Sequence, residues 1–140
     1  MTDSIHVDIV SAEGEIFSGA AKMVFLPAAE GEVGIAPRHA PLLTLLKAGE
    51  VRVQPVEGAE QSFYVGGGAL EVQPTRVTVL ADTALRAADL DEAAALSARQ
   101  RAEEALAGKI DRIEQAEAMA ELARAAAQLK LIQRLRKIRG

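Results

Sequence analysis

In the first half of the chain, apolar and polar residues alternate with period two. "IHVDIV" puts Ile5, Val7 and Ile9 on one face, "VRVQPV" does so with Val51 and Val53, and "RVTVLA" with Val77 and Val79. That spacing marks half-buried strands. Turn signals recur between them at Glu13-Gly14, Glu30-Gly31, Ala48-Gly49, Glu57-Gly58, Gly66-Gly67-Gly68 and Pro74-Thr75. Short strands separated by regular turns predict a sandwich or flattened barrel. The triple glycine is followed by no Gly-Lys-Ser/Thr, so it is not a phosphate loop, and it reads as a bulge or a close approach of backbones.

The period lengthens to three or four in the second half. Asp89 is the candidate N-cap of a first helix, with Glu92 at capping-box distance. Leu90, Ala94, Ala98, Ala102 and Leu106 form a stripe, and Gly108 interrupts the run. Asp111 is placed to cap a second helix, whose stripe reads Ile113, Ala116, Ala120, Ala123 and Ala127. The spacing thus predicts helices over about 89–107 and 111–138, joined as an antiparallel hairpin. Alanine-lined faces approach closely but bury little area, so such a pair is weakly held and could open. The fold class is α+β: an N-terminal flattened β-sandwich or barrel over 1–86, then a two-helix hairpin over 87–140.

The end of the second helix departs from this pattern. "KLIQRLRKIRG" carries Lys130, Arg134, Arg136, Lys137 and Arg139 and no acid, and its aliphatics Leu129, Leu131, Ile132, Leu135 and Ile138 spread around the helix. Cations complement the dipole at a helix C-terminus, which accounts for part of this. Aliphatics on every side suit a helix end that enters an apolar groove with acidic walls. An amphipathic membrane anchor fits less well, because the segment has no Trp or Phe.

Composition sharpens the division. All five prolines lie at or before Pro74, and 16 of the 54 residues from Ala87 onward are alanine. The 140-residue chain has a formal charge of −4, which argues against a nucleic-acid partner. It has no cysteine, which removes disulfides and thiolate metal sites and fits a reducing compartment. Neither a secretory leader nor an apolar run of about 20 residues is visible, so no direct membrane insertion is expected.

The densest chemistry lies in "EGEVGIAPRHAPLL", Glu30–Leu43. The chain's two histidines, His6 and His39, are far apart in sequence, and no metal-ligand spacing or nucleophile elbow is present. No metal or catalytic residue is therefore assigned. Glu30 or Glu32 paired with His39 would be an acid–base couple. The stronger reading is a loop stiffened by Pro37 and Pro41 that presents charge to a partner.

Four segments, "VSAEGEIFSG", "EGEVGIAPRHAPLLTLLKAG", "GGGALEVQPTRVTVLADTALRAADLD" and "AELARAAAQLKLI", occur in the order found in the epsilon subunits of bacterial F-type ATP synthases. The chain resembles that family over nearly its whole length. The resemblance implies a non-catalytic subunit of the central stalk, peripheral at the cytoplasmic face of the inner membrane. It implies that the loop at Glu30, Glu32, Arg38 and His39 contacts the c-ring and gamma, with Glu32 and His39 foremost. It also implies a hairpin that can extend into the catalytic head and suppress ATP hydrolysis. There Lys130, Arg134, Arg136, Lys137 and Arg139 would meet the alpha and beta subunits. Some members bind ATP through Ile/Leu-Asp-x-x-Arg-Ala. Here that run is "LDEAAA", with Ala94 in place of the arginine. No cofactor is therefore expected, and Asp91, Arg99 and Arg124 are the residues left for a weak nucleotide contact. The alternatives are a small enzyme built on His39 and a free nucleotide-sensing module.

Overall fold

The structure, a computed structural model, describes residues 3–139, except for the side chain of Arg139. It divides into two compact units between Ala87 and Ala88. The first unit contains β1 (Ile5–Ser11), β2 (Gly14–Ala28), β3 (Gly31–Ile35), β4 (Leu42–Pro55), β5 (Gln61–Gln73), β6 (Arg76–Ala81) and β7 (Ala84–Arg86). After a 3-10 turn at Ala87–Asp89, the second unit holds α1 (Glu92–Ala107) and α2 (Arg112–Arg139).

The strands run β1-β6-β5-β4-β2-β3, and β1 also pairs with β2, which closes the order into a flattened barrel. β1 is parallel to β6 and antiparallel to β2. Closure leaves β3 as an edge on β2, and β7 pairs with β5. The alternation read from sequence is the inward face. Ile5, Val7, Ile9, Val51, Val53, Val77 and Val79 are all 0% exposed and share one core with Leu26, Ile35, Phe63 and Leu70. Fully burying one such aliphatic side chain stabilises by about 1.5–3 kcal/mol.

Two turn signals turn out to lie inside strands. Ala48-Gly49 falls within β4, and the triple glycine within β5. Long strands wrapped around a small barrel must bend, and glycine permits both the bend and the close packing of neighbours. A Cβ on Gly49 would come 2.8 Å from Pro27 Cβ. Gly68 has φ +140°, and a Cβ there would lie 2.1 Å from the Leu80 carbonyl oxygen.

The first helix starts later than the sequence implied. Asp89 closes the 3-10 turn, so its backbone cannot take the extended conformation of an N-cap. Asp91 does, at φ −107° and ψ 109°, and its carboxylate accepts from the Ala94 amide at 3.1 Å. Asp111 caps α2 as expected, accepting from the Glu114 amide at 2.8 Å. Of the first stripe, Ala102 is buried, but Ala94 is exposed and Leu90 precedes the helix; Ala95 is the other buried residue of α1. On α2 the buried residues are Ala118, Ala125, Leu129 and Leu131, whereas Ile113 is 71% exposed and Ala116, Ala120 and Ala123 face solvent. In so alanine-rich a segment, alanine spacing fits several faces. The face holding Leu122 and Leu129 removes more apolar area from water and wins. The aliphatics of the tail divide: Leu129 and Leu131 are buried, and Ile138 is 66% exposed.

Replacing Gly68 by alanine should cost about 3 kcal/mol or more, because backbone must shift at a left-handed residue. Gly58→Ala, at an open turn with φ +97°, meets nothing within 4 Å. It should cost only about 1 kcal/mol. Urea unfolding of the two variants checks the contrast.

Candidate functional site

The loop between β3 and β4 is a tight turn at one end of the barrel. The His39 amide donates to the Ala36 carbonyl at 3.2 Å, with Pro37 and Arg38 between them. Proline in the second position and φ > 0 in the third is the pattern of a type II turn. Arg38 takes that third position at φ +66° and is the sole non-glycine residue with positive φ among the described residues. A side chain held in this region costs on the order of 1 kcal/mol and persists where the surroundings fix it. Here the Arg38 amide donates to the Pro74 carbonyl at 2.8 Å, and its guanidinium reaches Asp3 at 2.7 Å. The loop is thereby tied to the β5–β6 turn and to the start of the chain.

His39 does not meet a carboxylate. Its Nδ1 lies 2.7 Å from the Ala40 carbonyl, which can only accept, so Nδ1 carries the proton. Glu32 is turned instead to Arg52, at 3.4 Å. Glu30 sits at the β2–β3 turn, and no hydrogen bond or ion pair joins it to His39. The sequence-level acid–base couple is therefore not assembled. Arg52 also reaches Glu60 at 3.7 Å and stacks on the Phe25 ring at 4.4 Å. Phe25 in turn covers Gly34, where a Cβ would lie 3.1 Å from the ring. This stack of Gly34, Phe25 and Arg52 on the outer face pins the edge strand that carries Glu32.

A second polar group lies on β1, β2 and β6. Asp8 accepts from Ser18 Oγ at 2.7 Å, lies 2.9 Å from His6 Nε2, and is bound by Arg76. Ser18 and Asp8 both face the same imidazole nitrogen, since His6 Nε2 is 3.1 Å from Ser18 Oγ. A proton relay needs them on opposite nitrogens, so this is not a nucleophilic triad. Burial alone would push the Asp8 carboxyl up. The bonds from Ser18 and His6, and the positive charge of His6 and Arg76, outweigh that and hold it below the ordinary value of 3.8. No group of three or more His, Cys, Asp or Glu converges on a metal position among the described residues.

The outer face of the barrel also carries leucines that sequence reasoning passed over. Leu43 is 75% exposed, Leu45 67% and Leu80 56%. Register puts Leu45 opposite Ala69, Ala69 opposite Leu80, and Leu80 opposite Val10, so they form one row across four strands. The Ala29 amide donates to the Leu45 carbonyl at 2.9 Å, which sets the Glu30 turn beside this row. The signal was present in "LLTLL": a strand with one wet face alternates, and this one does not.

Of the residues weighed for nucleotide contact, Asp91 is occupied as a helix cap, and Arg99 lies along α1 at 3.7 Å from Glu103. Arg124 is exposed on α2. No hydrogen bond or ion pair links the three. In the tail, Arg136 pairs with Glu92, Lys130 and Lys137 are exposed, and the side chain of Arg139 lies outside the described residues.

Residues 4–87 match the model of the ATP synthase delta/epsilon chain beta-sandwich domain, and residues 88–133 that of its long alpha-helix domain. The chain belongs to the ATP synthase delta/epsilon chain family. Its similarity to the ATP synthase epsilon chain of Nitrosococcus oceani is 66% identity over 140 residues, covering all of both chains. It is 61% identical over 141 residues to epsilon chain 1 of Methylococcus capsulatus, again over the full length of both. Among solved structures, a chain of the Euglena gracilis mitochondrial ATP synthase superposes with a TM-score of 0.79 at 17% identity, over 89% of this chain and 78% of that one. One from the central stalk and c-ring of the Tetrahymena thermophila enzyme gives 0.65 at 13%, over 91% and 96%. At such identities the likeness is one of fold.

The Asp8 cluster gives this delta/epsilon family member an acid-sensitive joint. A carboxylate held below its unfolded value contributes stability above that value and loses it as pH falls through the folded one. Below about pH 4 the stability of the wild-type chain should therefore drop more steeply than that of Asp8→Asn, which should be less stable at pH 7. Urea midpoints from pH 7 to pH 3 measure both.

Proposed function

We propose that this chain is a non-catalytic rotor subunit of an F-type ATP synthase, with a sandwich that binds and a hairpin that regulates. Membership in the complex follows from the family. The binding role rests on one observation above all, the row of exposed leucines outside a closed, well-packed barrel. A folded unit with its own core gains nothing from Leu43, Leu45 and Leu80 in water, and apolar patches of this kind mark protein interfaces. We assign the row and the neighbouring edge strand to gamma, and the strained turn at Arg38 and His39, with Glu30 and Glu32, to gamma and the polar loops of the c-ring. A turn fixed at Pro74 and Asp3 transmits position instead of storing twist.

The hairpin is the regulatory part. Among the described residues, its buried ones are four alanines, Ala95, Ala102, Ala118 and Ala125, with only Leu129 and Leu131 beside them, which supports a pair of helices that can part. When they do, the basic tail from Lys130 to Arg139 meets acidic surfaces of the alpha and beta subunits and restrains hydrolysis. The balance of the two states is a population shift set by differential binding. The use of Asp91 as a cap, together with Ala94, supports a hairpin that works without bound nucleotide. No helix among the described residues is long and apolar enough to cross a membrane. The working place we infer is peripheral, at the cytoplasmic face of the inner membrane.

Hydrolysis by the catalytic head reconstituted with gamma tests the division of labour. The full chain should inhibit, and a chain ending at Arg86 should bind without inhibiting; equal inhibition by both would place regulation in the sandwich. Leu45→Glu should weaken binding to gamma at least about tenfold, since a charge would be buried in an apolar contact. Calorimetric titration with gamma reads it, and unchanged affinity would move the interface elsewhere.

A further inference from the structure

Two ion pairs that join the helices of the hairpin run in opposite senses. Near the turn, Arg101 on α1 meets Glu121 on α2 at 3.4 Å. At the far end, Glu92 on α1 meets Arg136 on α2. The first has its cation on α1 and the second has it on α2, so sliding either helix by two turns would bring unlike partners out of reach. Charge thus adds to the register that Leu129 and the buried alanines set.

The two pairs differ in leverage. Arg101–Glu121 lies toward the Gly108 turn, where the connection already keeps the helices together. Glu92 is the first residue of α1, and Arg136 lies in the last turn of α2. At 1.5 Å per residue, α1 is about 24 Å long, so separation at the far end must part this pair first. On the stretches next to this pair, Ala95 of α1 and Leu129 and Leu131 of α2 are buried, so the pair lies at the open end of an apolar contact and must break before that contact can part from there. We propose that the Glu92–Arg136 pair is the latch of the hairpin, and that its strength sets how often the two helices part. The regulatory consequence rests on the reading given above, in which the open hairpin restrains hydrolysis.

Glu92 also favours the N-terminus of its own helix, and Arg136 the C-terminus of its own, so a single substitution does not isolate the pair. A double-mutant cycle does. The readout is hydrogen exchange of the backbone amides from 125 to 135 in the full chain, which reports rare openings. Glu92→Gln and Arg136→Gln should each speed exchange about two- to fivefold, the range of an exposed ion pair. The double variant should be little faster than either, and the reversed pair, Glu92→Arg with Arg136→Glu, should return exchange toward the wild-type rate. Unchanged exchange, or effects that add with no coupling, would overturn the latch. Hydrolysis by the reconstituted head with Glu92→Gln then separates the two ideas. Stronger inhibition supports both. Coupled exchange with unchanged inhibition leaves the latch standing and removes the inhibitory role of the open hairpin.

Discussion

The double pairing of β1 is the constraint on which the sandwich depends. One seven-residue strand joins β6 in parallel and β2 in antiparallel register, and so turns an open sheet into a closed one. Closure gives the inward aliphatics a sealed interior, and Ile5, Val7 and Ile9 reach zero exposure because both neighbours of β1 are present. It also dictates the glycines of β5. The strands can wrap only if β5 and β6 approach at Gly68 more closely than any side chain would allow. Packing inside and the absence of side chain at one crossing are two sides of a single geometric requirement.

Once the interior is sealed, the outer face is free to differ from it, and it is built in two materials. One is apolar, the leucine row across β4, β5 and β6. The other is polar and braced: Arg52 on Phe25 over Gly34 holds β3, and Pro74 and Asp3 hold Arg38 in a left-handed turn. Neither arrangement brings an acid, a base and a nucleophile together. Both present stiff surfaces, as a part that moves as one body with its partners requires.

The helical unit is built on the opposite principle. Alanines line much of its contact, with Leu129 buried on α2, and ion pairs join the helices at Arg101–Glu121 and at Glu92–Arg136. Ion pairs at a surface are weak and reversible. The proposed division of labour rests on this contrast between a rigid barrel and a more weakly held hairpin.

Local sequence determined the strands and helices. Alternation marked the inward faces of β1, β4 and β6, the proline-rich loop marked a rigid turn, and the alanine-rich segment with Gly108 and Asp111 marked a hairpin. These are properties of a few neighbouring residues, set by sterics and side-chain direction. The family, too, was legible in the order of segments such as "EGEVGIAPRHAPLL". What local pattern could not supply was which surfaces meet. The close approach read from Gly66–Gly68 is present, but only closure of the barrel set its partner, Leu80, and turned Ala48-Gly49 from an apparent turn into a bend within a long strand. Only cross-strand register aligned Leu45, Ala69 and Leu80 from three separate segments. Among so many alanines, the contact between α1 and α2 was settled by Leu122 and Leu129, and its far end by Glu92 and Arg136, 44 residues apart in sequence. Side-chain direction is written residue by residue. Contact depends on where the rest of the chain has been placed, and that is decided by the packing of the whole.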